Sequence, residues 1–223
     1  MKEQATIPTT NSFHMLRAMV GIGALCGLLI VLTYEGTLPR IEKLRAEALQ
    51  QAIFKVIPDI SKTQAFTLKD NVYVLAGEQD ENVIYAGYDD QGNFKGVAVK
   101  ASGQGYADII SILYGYNPEK QQVIGFYVLE SKETPGLGDK IEKDQNFLDN
   151  FSALDVSLTD GLGAIRNRVV PVKKGTKSNP WEVDGITGAT ISSRAIGNIL
   201  GKSSEKWIPI IYKNREVFKN KKE

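Results

Sequence analysis

Between Arg17 and Glu35 the sequence AMVGIGALCGLLIVLTY runs for 17 residues without a charge. As a helix it spans roughly 25 Å at about 1.5 Å per residue, a little short of a bilayer core. Met15 and Leu16 can lengthen it, with Arg17 snorkelling to the headgroups and Phe13 and Tyr34 at the interfaces. The span is assigned to residues 18–36, after a short cytoplasmic segment, 1–17. A cleaved signal peptide is the competing reading. Such a peptide ends in small residues of the A-x-A type, whereas this stretch runs into TYEGTLPR, which favours an uncleaved anchor. Charge leaves the orientation open. Lys2 and Arg17 precede the span, while Arg40, Lys43 and Arg45 follow it. Taken literally, the positive-inside rule puts the C-terminal part in the cytoplasm, but long domains translocate largely regardless of such charges.

Beyond the span the chain has length for roughly one domain. Its sole histidine is His14 and its sole cysteine Cys26. From residue 27 onward, Cys–His nucleophiles, Ser–His–Asp triads and ordinary zinc or iron–sulfur ligation are therefore excluded, and no metal site is expected. Carboxylate chemistry, simple binding or a cofactor's chemistry remains. A net charge of +1 supplies no field for nucleic acid.

Thr37-Leu-Pro-Arg reads as the start of a stalk helix over 37–58, with Thr37 as N-cap and Pro39 in the first turn. Ile41, Leu44, Ala48, Ala52 and Phe54 fall near one face, and Pro58 ends it. Strand signals follow at Val72–Ala76, Val83–Tyr88, Phe94–Ala101, Ile109–Tyr116 and Val123–Leu129. Short turns at Asp89–Asn93 and Asn117–Lys120 make the sheet antiparallel. Residues 139–151 read as a helix, Val169–Val172 as a strand, and a last helix starts near Thr190 and runs towards Trp207. The class is α+β: one N-terminal membrane helix, then a domain over 59–212 with an antiparallel sheet flanked by helices. Residues 213–223 read as a frayed, polar tail.

Three glycine-containing stretches carry the candidate chemistry: Ser102–Ala107 (SGQGYA), Glu133–Asp139 (ETPGLGD) and Asp184–Ser193 (DGITGATISS). Each alone reads equally as a turn. In the third, Thr187 and Thr190 offer hydroxyls just ahead of a helical run. Unsatisfied N–H groups at a helix N-terminus favour a phosphate, and Gly188 and Ala189 leave room for one. The alternative is that Thr190 or Ser192 merely caps the helix.

Asp184–Thr190, D-G-I-T-G-A-T, resembles the flavinylation motif D-x-x-S/T-G-A-T of FMN-binding domains, and Glu133–Gly138, E-T-P-G-L-G, resembles that family's second signature. With the single N-terminal anchor, the pair resembles the G subunits of Rnf-type ion-translocating ferredoxin:NAD oxidoreductases. The C subunits of Na⁺-translocating NADH:quinone reductases are close relatives. The resemblance implies FMN joined to Thr190 by a phosphoester bond, attached by an FAD-dependent FMN transferase that reads Asp184, Thr187, Gly188, Ala189 and Thr190. It implies that Thr134, Leu137 and Gly136 lie at the isoalloxazine, and that Gly188, Ala189 and Ile191 lie near the phosphate and ribityl chain. Tyr106 is added as a stacking candidate or a core residue. Glu133 either bonds near the ring or is an ordinary solvated carboxylate, and Asp184 either is read by the transferase or fixes a turn.

The implied function is electron relay within a membrane complex, the domain facing the periplasm or its equivalent. No independent turnover and no catalytic side chain are expected. The single span has no internal carboxylate, so ion movement falls to partner subunits. The equivalent subunit of a quinone reductase, a stand-alone membrane-anchored flavoprotein reductase and a non-redox scaffold remain as alternatives.

Overall fold

A computed structural model describes residues 12–77, 80 and 82–219. Lys2, most of the expected cytoplasmic segment and residues 220–223 of the expected tail lie outside the described residues. Two units are distinguished, Met1–Glu47 and Ala48–Glu223.

The first unit contributes most of helix α1, Ser12–Val56. This helix is long and apolar enough to cross a membrane, with a mean hydropathy of 2.3 over its most apolar 18 residues, none of it buried in protein. No second helix opens at Thr37: its hydroxyl donates to the carbonyls of Thr33 and Tyr34 at 2.8 and 3.1 Å, and Pro39 lies inside α1. Those back-bonds compete with the capping geometry that the sequence suggested. The expected apolar stripe is also redrawn. Ile41, Leu44 and Phe54 are exposed, whereas Ala52, Ile53, Val56 and Ile57 are buried.

The second unit is built on a seven-stranded antiparallel sheet in the order β2-β1-β3-β4-β5-β6-β7. Its strands are β1 Lys62–Lys69, β2 Val72–Leu75, β3 Ile84–Tyr88, β4 Phe94–Gln104, β5 Ile109–Asn117, β6 Gln122–Glu130 and β7 Leu154–Asp155. Alternation sorts the two faces. Val97, Val99, Ile110, Ile112, Tyr114 and Tyr116 join the main core, while Ala98 and Leu113 pack with Ala52, Ile53, Val56 and Ile57.

Helix α3, Thr190–Lys213, covers the main-core face through Ile196, Leu200, Ile208 and Ile211. A short parallel pair, β8 Val170–Val172 and β9 Glu182–Asp184, leads into it. Gly201 makes this approach possible: a Cβ there would lie 2.7 Å from the Val169 carbonyl.

The helix expected over 139–151 is broken. A 3-10 turn at Gly138–Glu142 is followed by α2, Gln145–Leu148, and a second turn at Asp149–Phe151. Asp144 interrupts the run by adopting an extended conformation and accepting the Phe147 N–H on its side chain. The expected tail is also partly folded. Arg215–Lys219 forms α4, and Phe218 is buried against Phe66, Tyr73 and Phe94.

Candidate functional site

Two turns of the same construction face one another across a cleft. In the first, Leu137 N–H donates to the Thr134 carbonyl at 3.1 Å, with Pro135 second and Gly136 third at φ +77°. In the second, Ala189 N–H donates to the Ile186 carbonyl at 3.2 Å, with Gly188 third at φ +83°. A type II turn needs a positive φ at its third position, which glycine adopts without strain. The glycines of E-T-P-G-L-G and T-G-A-T thus have a local reason to be present.

The second turn is held from below. Asn150 accepts the Asp184 N–H at 3.0 Å and donates to the Asp184 carbonyl at 3.2 Å. Both Asp184 carboxylate oxygens accept the Gly175 N–H, at 2.8 and 2.9 Å. Asp184 therefore fixes a neighbouring turn and does not line the cleft, nor does the exposed Thr187.

The chain then enters α3. Ala189 is the N-cap and makes no side-chain cap bond, so neither Thr190 nor Ser192 acts as a cap. The N–H groups of Thr190, Ile191 and Ser192 have no acceptor among the described residues. Thr190 is exposed, and its hydroxyl makes one long bond, 3.4 Å to the Ile186 carbonyl.

Glu133 ties the site together. It is 6% exposed, so the solvated-carboxylate alternative fails. Its Oε1 accepts the N–H groups of Tyr106 and Ala107 at 2.8 and 3.0 Å, and its Oε2 accepts the Ser192 hydroxyl at 2.5 Å. Three segments distant in sequence are joined at one carboxylate. Gly105 and Gly138 make this packing possible: a Cβ on Gly105 would lie 2.5 Å from Glu133 Oε1, and one on Gly138 would collide with the same side chain.

The resulting cleft, about 350 Å³, is lined by Glu133, Thr134, Leu137 and Gly138 on one wall. Gly188, Ala189, Thr190, Ile191 and Ser192 form the other, with Tyr106 at the rim. All of the candidate residues except Gly136, Asp184 and Thr187 meet there. Gly136 shapes its turn and does not line the wall. Gly138, quoted only as the end of its motif, and Ser192, named only as a helix cap, were not expected in the wall. Gly138 closes the E-T-P-G-L-G run and so was within reach, but nothing local to Ser192 signals a bond to a residue 59 positions away.

A larger cleft, about 780 Å³, lies between β3–β4 and α3; Ser102, Gly103 and Gln104 of the first glycine stretch line it, but none of the residues expected at the flavin does. Volume is a poor guide here; the free amides and the hydroxyl lie at the smaller one.

The cleft residues fit an FMN. Unpaired amides at a helix start suit a phosphate. Tyr106, Leu137 and Ile191 are 65%, 53% and 54% exposed, apolar surface that a flat ring system would cover.

Comparison with known proteins agrees with this arrangement. A model of the FMN-binding domain family matches residues 105–204, which contain every residue lining the cleft. The chain is 30% identical over 188 residues to the G subunit of the ion-translocating oxidoreductase complex of Methanosarcina acetivorans, covering 82% of this chain and 87% of that one. This chain belongs to the G-subunit family of ion-translocating oxidoreductase complexes. Another member, the G subunit of the Na⁺-translocating ferredoxin:NAD⁺ oxidoreductase complex of Acetobacterium woodii, is 28% identical over 201 residues, 87% of this chain and 91% of that one. The fold of this G subunit is matched by the crystal structure of Shewanella oneidensis NqrC, with a TM-score of 0.62 at 19% identity over 78% of this chain and 99% of that one.

Proposed function

We propose that this G subunit is a membrane-anchored electron-transfer component of an ion-translocating ferredoxin:NAD oxidoreductase complex, carrying FMN covalently on Thr190. The carrying observation is the Thr190 hydroxyl, exposed at the first residue of α3 beside three N–H groups without acceptors among the described residues. In the attachment step the Thr190 Oγ forms a bond to the FMN phosphorus of FAD. The pyrophosphate bond breaks, AMP leaves, and the hydroxyl proton is lost.

Bound there, the flavin supplies the redox chemistry by accepting and passing on electrons. The chain's own residues hold and shield it. The free amides of α3 bind the phosphate, and Leu137, Ile191 and Tyr106 exclude water from the ring. Glu133 fixes the distance between the two walls. Among the described residues it is the one carboxylate lining the cleft, and its oxygens accept from protein donors.

Anchoring by α1 is supported by large apolar side chains such as Met19 and Ile30, 72% and 69% exposed, which water would not tolerate as a continuous surface. The domain is proposed to lie on the extracytoplasmic side, with ion movement assigned to partner subunits.

The test is the intact mass of the chain purified from its own membrane. It should exceed the bare chain by one FMN less one water, with the adduct mapped to Thr190 and lost in Thr190→Ala. Fluorescence undiminished in Thr190→Ala would refute the assignment.

A further inference from the structure

Lys140 stands in the 3-10 turn that directly follows the Thr134–Leu137 turn. Its N–H donates to the Leu137 carbonyl at 3.3 Å, and its own carbonyl accepts from Lys143 and Asp144 at 3.1 and 2.9 Å. The residue is thus tied to the wall of the cleft through Leu137 and to the start of α2 through Asp144. Its side chain is half-buried, and its ammonium lies 3.6 Å from the position a Cβ would take on Gly188. Gly188 precedes Thr190 by two residues, and successive Cα atoms are about 3.8 Å apart. The head of a flexible four-carbon stem at that place can reach a group carried on the Thr190 hydroxyl.

Two neighbouring acids already hold other donors. Asp139 pairs with Lys143 at 2.6 Å, and that hydrogen bond holds its carboxyl below the ordinary range. Glu133 accepts from three protein donors. The Lys140 ammonium makes no ion pair or hydrogen bond among the described residues. A cation that lowers the neighbouring Asp139 carboxyl only weakly and makes no ion pair among those residues therefore sits beside the positive end of a 24-residue helix, where positive charge is unfavourable and an anion is stabilised. An anion of single charge would satisfy both. A diester joining the ribityl phosphate to Thr190 carries one negative charge.

We propose that Lys140 is the counter-ion of that phosphodiester, a positioning residue that neutralises the phosphate together with the α3 amides. This rests on the reading that Thr190 carries FMN. One segment, Thr134–Lys140, then serves both ends of the cofactor: its turn borders the ring, and its lysine holds the phosphate.

A covalent group is present in folded and unfolded chains alike, so the change in melting temperature on flavinylation reports the contacts it makes in the native state over those it keeps in the unfolded chain. Full-length wild-type, Lys140→Gln and Lys140→Arg chains are each purified with and without the FMN transferase. Attachment is quantified by intact mass, and melting is followed at low and high salt. Flavinylated wild type should melt above its bare form. Lys140→Gln should lose roughly 2–4 °C of that increment at low salt and less at high salt, because the charge interaction is screened. Lys140→Arg should retain it. If Lys140→Gln instead fails to be flavinylated and Lys140→Arg is restored, the charge acts already at attachment, which also supports the assignment. An increment unchanged in Lys140→Gln, or lost equally in Lys140→Arg, would overturn it. A bare mass in the wild type would instead remove the attachment itself, and this inference with it.

Discussion

Glu133 is the side chain whose replacement should separate architecture from chemistry most sharply. In Glu133→Ala the N–H groups of Tyr106 and Ala107 and the hydroxyl of Ser192 lose their acceptor together. Hydrogen bonds to a charged group contribute about 1.5–3 kcal/mol each, but such losses are not additive. Water entering from the cleft can reach the two amides, so the net cost should be about 2–4 kcal/mol. For a domain of this size that corresponds to a fall of roughly 5–15 °C in melting temperature. Glu133→Gln should behave differently. Its Oε1 still accepts both amides, and its Nε2–H can donate to Ser192 Oγ once that hydroxyl rotates. Only the charge is lost, for about 1 kcal/mol. Both variants are measured without flavin by thermal unfolding followed by circular dichroism, so that cofactor contacts do not enter. Equal melting temperatures for the Ala and Gln variants, or an Ala variant as stable as wild type, would refute the view that this carboxylate clamps the two walls.

Two further outcomes follow from the same geometry. Leu137 is 53% exposed, so Leu137→Ala should leave the unflavinylated melting temperature within the effect of an ordinary surface change, about 0.5 kcal/mol, and leave attachment intact. It should alter the absorbance and potential of the attached flavin in a redox titration; an unchanged titration would take Leu137 away from the ring. In acid, Asp89 is held to about 2, chiefly by the Asn93 side chain and then by its N–H, and Glu182 to about 2 by the Ser178 N–H and then Asn179. Both folded-state values lie below the ordinary 3.8 and 4.5, so the unfolded chain binds protons first as the pH falls. Their stabilisation is complete above the ordinary values and is lost between about pH 4.5 and 2. Asp89→Asn with Glu182→Gln should flatten that limb of the melting temperature against pH, and an unaltered slope would count against both networks.

The sheet and the acceptor turn were legible in the sequence for different reasons. Strands β3–β6 announce themselves by apolar runs between turn residues, and T-G-A-T by two hydroxyls and a glycine before a helical pattern. Strand β1 went unread because Lys-Thr-Gln-Ala-Phe-Thr-Leu-Lys buries only Phe66 and Thr67, leaving little apolar signal. Strand β8 was read at Val169–Val172, but its three-residue partner β9 is too short for periodicity to register, and their parallel pairing joins segments ten residues apart. Asp144 looked like one polar residue within a helix, yet its competition for the Phe147 N–H ends that helix. Phe218 looked like part of a lysine-rich tail. Its partners Phe66, Tyr73 and Phe94 lie far back in the chain, and only tertiary contact reveals the aromatic cluster. Glu133 and Ser192 fall in the same class.

The clamp at Glu133 reaches 27 residues back to Tyr106 and 59 forward to Ser192, and those spans bear on the order in which the molecule can be made ready. Strands β3–β6 pair with chain neighbours across short connections, so their loop-closure cost is small. The two walls of the cleft meet only across long range, the kind of contact that slows folding. A peptide spanning Asp184–Thr190 would carry the hydroxyl but neither the facing turn nor Lys140. The acceptor acquires its surroundings only when α3 has docked and the carboxylate has closed on Ser192. The surroundings that would hold a group on Thr190 are therefore a late product of folding, complete only in a chain whose long-range contacts have closed.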